Sequence, residues 1–233
     1  ILKQLTRAVP EVADFPFTTR EPMPAMMGFE GVQVQLVDTP PVVAGQLEPW
    51  MLNLVRTADA AMLVLDGSSD DAPGECEDAI REFADRKTRF ATQTGFDPDS
   101  FAVVNVSTLL VVTHSADPDC QTRMDLLRET IDIQYPVLFV ELEDAEAATM
   151  LAKAVFGMLN LIRVFTKPPG LPADMTAPLT VGDGGTVEDL AFQIHDDLGQ
   201  RLKHAKIWRE GAHDGQLVGR DYALRDGDVI ELH

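Results

Sequence analysis

The chain has 233 residues, 45% of them hydrophobic, and a formal net charge of −19 from 38 acids and 19 bases. The apolar fraction supports a packed core and excludes global disorder. The acidity argues against a free-standing duplex DNA binder, which needs clustered Lys and Arg against phosphate.

Cys76 and Cys120 are too few for a disulfide framework, and no Cys/His spacing reads as a zinc site. A reduced, cytoplasmic setting is expected. The longest uncharged run, residues 101–116, holds Asn105, Ser107, Thr108 and His114. It falls short of the ~20 apolar residues of a membrane span, so no membrane partner is expected. The chain begins at Ile1 and not at a methionine, and an N-terminally incomplete protein is expected.

Residues 1–8 read as the remainder of a helix, with Leu2 and Leu5 apolar. Strands are predicted at Val32–Asp38, Ala60–Asp66, 108–113 and 136–142, as short apolar runs of the kind buried on both sheet faces. Helical stretches lie between them at Pro49–Thr57, 74–86 and 121–131. This alternation predicts an open α/β sheet, in which ligands bind beyond the carboxyl ends of the strands. Asp38, Asp66 and His114 stand at those ends.

Residues 145–162 read as one apolar helix, and Pro168, Pro169 and Gly170 mark a loop after it. Strands are then predicted at 162–167 and 178–181. Thr186 and Asp189 have N-cap spacing, and Val187, Leu190, Ala191, Ile194, Leu198 and Leu202 form one helical stripe. Strands at 206–209, 216–219 and Asp228–Leu232 complete a small α+β module of β-grasp type. His195 reads as a packed or half-buried histidine and Trp208 as an anchor of the small core. Lys203, His204, Lys206 and Arg209, with Arg201 nearby, read mainly as a solvated helix end and secondarily as an RNA contact.

Two groups of residues carry a family resemblance. Phe15-Pro16-Phe17-Thr18-Thr19, followed by Leu36-Val37-Asp38-Thr39-Pro40-Pro41, resembles switch I and switch II of the Obg/DRG branch of P-loop GTPases. Ile162-Arg163-Val164-Phe165-Thr166-Lys167, Thr186-Val187-Glu188-Asp189-Leu190, Val218-Gly219-Arg220-Asp221 and Leu224-Arg225-Asp226-Gly227-Asp228 resemble a TGS domain. The resemblance implies a partial G domain at 1–161 and a TGS domain at 162–233. The fold it implies is a three-layer α/β P-loop GTPase sheet, lacking its first strand and P-loop, followed by the β-grasp module.

It also implies GTP and Mg²⁺ as ligands. Thr19, with Thr18 second, would contact metal and γ-phosphate, and Asp38 would hold Mg²⁺, usually through water. Asp117 would accept the N1 and N2 hydrogens of guanine. The bland alternatives are a polar loop at Thr18-Thr19, a strand-terminal cap at Asp38 and a turn at Asp117-Pro118.

Three departures stand out. No Gly-x-x-x-x-Gly-Lys-Ser/Thr string occurs, so the amides and lysine that cradle phosphates are missing from the chain. Pro41 replaces the switch II glycine and has no N–H to give the γ-phosphate, while Val42 after it fits the branch. His114-Ser115-Ala116-Asp117 stands where Asn-Lys-x-Asp is expected, and Glu141 lies where a base carbonyl would approach. The function implied is a GTP-binding regulatory protein associated with ribosomes or RNA through the TGS domain. The alternative is a pseudo-GTPase that keeps the fold for partner binding. Without the P-loop, this chain is expected to bind nucleotide weakly or not at all.

Overall fold

The computed structural model describes residues 1–6, 22–209, 211 and 213–233. They form two compact units, one of residues 1–27 with 35–159 and one of 28–34 with 160–233.

The first unit opens with the short helix α1 (Leu2–Leu5). A hairpin follows in the chain, β1 (Met23–Phe29) and β2 (Val32–Asp38), its tip 28–34 counted with the second unit and turning at Glu30 and Gly31, both with positive φ. Two positive φ values fit a two-residue turn whose twist matches the strands it joins. The hairpin is a separate two-stranded sheet. Strand Val32–Asp38 therefore exists as expected but is not hydrogen-bonded into the larger sheet. Its partner β1 has no clear sequence signature, because Pro24 and Gly28 interrupt its alternation.

Next come α2 (Pro49–Thr57), β3 (Ala60–Asp66), α3 (Ala72–Asp85), β4 (Thr88–Ala91), β5 (Gly95–Phe96) and β6 (Val104–Thr113). Helix α4 (Cys120–Thr130), β7 (Val137–Phe139) and α5 (Ala147–Met158) complete the unit. Strand β6 is the spine, parallel to β3 over Ser107–Thr113, to β4 over Val104–Ser107 and to β7 over Leu110–Val112. The run Val106–Thr113 is wholly buried, which is why its apolar residues do not alternate with polar ones. Leu65, Leu110, Val112, Met124 and Leu127 share the core with Phe83 and Phe90, whose rings meet edge-on at 5.2 Å. Among the described residues β3 is an edge strand, and its Val64 is 54% exposed.

Helix α5 stops earlier than its apolar periodicity suggests. Asn160 adopts a left-handed φ of 55° just beyond Leu159, the conformation that commonly ends helices and that Asn tolerates.

The second unit contains β8 (Leu161–Thr166), β9 (Leu179–Gly182), α6 (Val187–Ile194), α7 (Asp196–Arg201), β10 (Ala205–Trp208), β11 (Gln216–Val218) and β12 (Asp228–Leu232). Its five-stranded sheet runs β11-β10-β12-β8-β9, with β12 and β8 parallel. Thr186 caps α6 through a full capping box with Asp189, as the spacing predicts. The stripe running to Leu202 is two helices and not one. His195 takes an extended φ of −168°, is exposed, and caps α7 by accepting the Asp197 amide at its Nδ1. It is thus a helix cap where a packed histidine was expected.

Trp208 also lies outside the core. Ala205 and Ile207 take the buried side of β10, and Lys167 Nζ sits 4.1 Å from the Trp208 ring centroid. Two members of the expected basic cluster, Lys206 and Arg209, are held in internal ion pairs. Lys206 and Lys167 both meet Glu231, and Arg209 forks onto the buried Asp228. Burial pushes the Glu231 carboxyl up, but His233, Lys206 and Lys167 overcome it and take it down to about 2.

Candidate functional site

The in-register pairing of Asp66 with Thr113 brings the carboxyl ends of β3 and β6 side by side. The next residue, His114, takes a left-handed φ of 48° and turns its Nδ1 to within 2.8 Å of Asp66 Oδ1. The same oxygen accepts the Ser68 amide at 2.9 Å and the Ser68 hydroxyl at 2.7 Å. Burial raises the Asp66 carboxyl, and these Ser68 and His114 bonds outweigh it, so its pKa lies below the usual range.

Gly67 closes the junction. Its amide donates to Thr113 O at 2.9 Å. A Cβ there would lie 2.5 Å from Thr113 O and 2.7 Å from Cys120 Sγ, so no larger residue fits without displacing the backbone after β6.

Asp117 follows on the loop into α4. Its Oδ1 accepts Arg123 Nη1 at 2.6 Å and the Asp119 amide at 3.0 Å. Arg123, first of all, and the Asp119 amide hold the Asp117 carboxyl below its ordinary pKa. Arg123 itself is buried. Its Nε donates to Asp70 Oδ1 at 2.8 Å and its Nη1 to Gly67 O at 2.7 Å. One guanidinium thus ties the loop after β3 to the loop after β6. Sequence reasoning missed Arg123, because the apolar stripe of α4 runs through Met124 and Leu127. The only available signal was an arginine six residues after the aspartate.

Glu141, just beyond β7, reaches back across this end of the sheet. Its Oε1 accepts the Ala116 amide at 2.7 Å. A cavity of about 340 Å³ opens beside it, lined by Ser115, Phe139, Glu141, Asp144, Glu146 and Met150. That volume suits a planar base, and its carboxylates favour a guest offering N–H donors over one offering oxygens.

Asp38 ends β2. It lies in electrostatic reach of the amino end of α1. Among the described residues no group of three or more His, Cys, Asp or Glu is disposed to hold a metal. A Mg²⁺ shared with nucleotide phosphates needs only one or two protein carboxylates, and Asp38 is a carboxylate at a strand end. Thr18 and Thr19 lie outside the described residues. The structure thus brings together Asp117, His114, Asp66 and Glu141, and separately Asp38 and α1. No helix is long and apolar enough to cross a membrane among the described residues.

The sequence model described as 50S ribosome-binding GTPase matches residues 1–95, and that of the TGS domain matches residues 162–233. An uncharacterized GTP-binding protein of Methanocaldococcus jannaschii is 24% identical, over 100% of this chain and 74% of its own length. Developmentally-regulated GTP-binding protein 1 of Xenopus laevis is 23% identical, over 100% of this chain and 78% of its own. The solved YchF GTPase of Schizosaccharomyces pombe superimposes with a TM-score of 0.61 at 13% identity, covering 100% of this chain and 93% of that one. At that identity the likeness shows the fold: a GTPase-type α/β domain followed by a TGS domain.

Proposed function

We propose that this chain, which belongs to the Obg/DRG-type GTP-binding proteins with a C-terminal TGS domain, is a regulatory guanine-nucleotide binder that reads the base through Asp117 and holds Mg²⁺ through Asp38. The observation that carries the reading is the Asp117 carboxylate, fixed by Arg123 and the Asp119 amide on the loop beyond the carboxyl end of β6, where an open α/β sheet places its ligand. Asp117 keeps Oδ2 for the base while Arg123 and Asp119 fix Oδ1. A carboxylate held ionised accepts N1–H and N2–H, a pattern guanine has and adenine lacks. Thr19 takes the metal and γ-phosphate by family resemblance alone.

The phosphate end fits less well. The 233 residues contain no P-loop string, and Pro41 offers no amide. These residues alone therefore bind nucleotide weakly, and GTP hydrolysis belongs to a site with its phosphate cradle in place. Regulation on the ribosome accords with the description of the matching GTPase family.

A second reading is a pseudo-GTPase that binds partners only. It is favoured by Glu141, whose carboxylate already occupies the Ala116 amide that a base carbonyl would use. Titration with a fluorescent GTP analogue separates the two. Weak, Mg²⁺-assisted binding that Asp38→Ala makes independent of Mg²⁺ supports the first reading. Absence of binding at millimolar nucleotide supports the second. Micromolar or tighter binding overturns the account of the phosphate site.

A further inference from the structure

The segment joining β4 to β6 carries two aromatic side chains that no element of the first unit covers. Phe96 is 79% exposed and Phe101 is 95% exposed, whereas Phe83, Phe90 and Phe156 of the same unit are buried. Water-facing phenylalanines this close together are uncommon on a monomer and mark contact sites.

The loop that presents them is built, not slack. Its base is pinned where Thr94 Oγ1 donates to Asp59 O at 2.7 Å and accepts the Ser107 amide at 2.9 Å. Gly95 and Phe96 pair antiparallel with Asn105 and Val104. The Asp97 amide donates to Val103 O at 2.9 Å, and the Val103 amide donates to Ser100 O at 3.2 Å. Asp97 Oδ1 accepts the Asp99 amide, Arg89 ion-pairs with Oδ2, and Ala102 is held at a φ of 63°. A non-glycine residue keeps that conformation only where its surroundings over-determine it. The two rings are therefore displayed at low entropic cost, as effective binding anchors are.

The loop also encloses a concavity of about 520 Å³ between Phe96, Asp97, Pro98, Asp99, Ser100 and Phe101. No cation lines it. Arg89 neutralises Asp97, which leaves Asp99 as the carboxylate available to a guest. Aromatic faces beside a carboxylate take a cation on an apolar stem, which is an arginine or lysine side chain. Residues 1–162 carry 26 acids against 11 bases, so the field around the loop also draws basic partners. That field and Asp99 reject nucleic acid phosphate and a second copy of this acidic chain.

We propose that the Phe96–Phe101 loop is a docking site for a basic segment of a partner protein, with an arginine or lysine seated in the concavity and apolar neighbours packed on the two rings. The site is independent of nucleotide. The test is fluorescence anisotropy of the whole chain with a labelled decapeptide of alternating Arg and Leu, compared with its Glu/Leu counterpart. The Arg/Leu peptide binds and the Glu/Leu peptide does not. Phe96→Ala and Phe101→Ala each weaken binding about tenfold, the loss usual for an anchor residue. Asp99→Asn weakens it severalfold, and thermal unfolding is unchanged because both rings already face water.

The aromatic substitutions leave net charge untouched, so general attraction of a polycation to an acidic protein is the same in every phenylalanine variant. Binding indifferent to Phe96 and Phe101 overturns the proposal. So does equal binding of the Glu/Leu peptide, preferential capture of a single-stranded RNA oligomer, or self-association that the same substitutions abolish.

Discussion

Arg123 Nη1 lies 2.6 Å from Asp117 Oδ1, and the same nitrogen donates to Gly67 O at 2.7 Å. The residue proposed to read the base is thereby fixed to the loop after the neighbouring strand, and its orientation does not depend on ligand.

This pairing makes stability depend on acid. The Asp117 pKa is lower in the fold than in the unfolded chain, chiefly through Arg123. The unfolded state therefore binds more protons as acid is added. The contribution is complete above about pH 4, the ordinary aspartate range, and is lost as pH falls through the lower folded value. Asp117→Asn is accordingly less stable than the parent at neutral pH, and the gap narrows as pH falls below about 4. Urea unfolding across that range measures it; a constant gap contradicts the assignment.

Glu141 holds the Ala116 amide at 2.7 Å and adds negative charge to the base cavity. Glu141→Ala frees that amide for a base oxygen. Guanine-nucleotide affinity is expected to rise about fivefold, the worth of one hydrogen bond of about 1 kcal/mol. Competition against a fluorescent GDP analogue reads it, and unchanged or weaker affinity would place the base elsewhere.

By its resemblance to switch II, Pro41 takes the place of a glycine whose amide would meet the γ-phosphate. Pro41→Gly restores that donor, and because GDP has no γ-phosphate the gain appears only with GTP. The expected readout is a higher ratio of GTP to GDP affinity. A ratio that does not move removes Pro41 from the account.

In the second unit, the 1% exposed Asp228 accepts a fork from Arg209 and the Arg225 amide at 2.7 Å. Asp228→Ala strands a guanidinium and an amide, a loss of about 3 kcal/mol for a buried pair broken on one side. Amide hydrogen exchange is expected to accelerate across residues 160–233 while β3 and β6 stay protected. Uniform acceleration through both units would contradict this local role.

Much of this was legible in the sequence, for identifiable reasons. Ala60–Asp66 and Pro49–Thr57 matched to the residue, since one is an apolar run ended by an acid and the other a periodic stretch opened by proline. The capping box at Thr186 was equally plain. Boundaries set by backbone conformation were not. The apolar pattern continues through Leu159 into Leu161 and Ile162, and only the left-handed Asn160 divides helix from strand. The extended His195 splits one expected helix in the same way. Contacts across the sheet were hidden too, because Asp66 meets His114 and the Ala116 amide meets Glu141 through strand register and not through spacing. Asp38 and Asp117 were nameable from motif resemblance, while Arg123, which positions Asp117, was not.

The most direct test of the central claim is a backbone-amide NMR titration of the 233-residue chain with millimolar GTP, GDP and ATP. GTP and GDP are expected to shift Ser115, Ala116 and Asp117, and ATP to leave them in place. Asp117→Asn, which swaps an acceptor for a donor, should transfer the response to xanthosine triphosphate. Equal shifts with ATP, or none at these residues with any nucleotide, would contradict a guanine site at the end of β6.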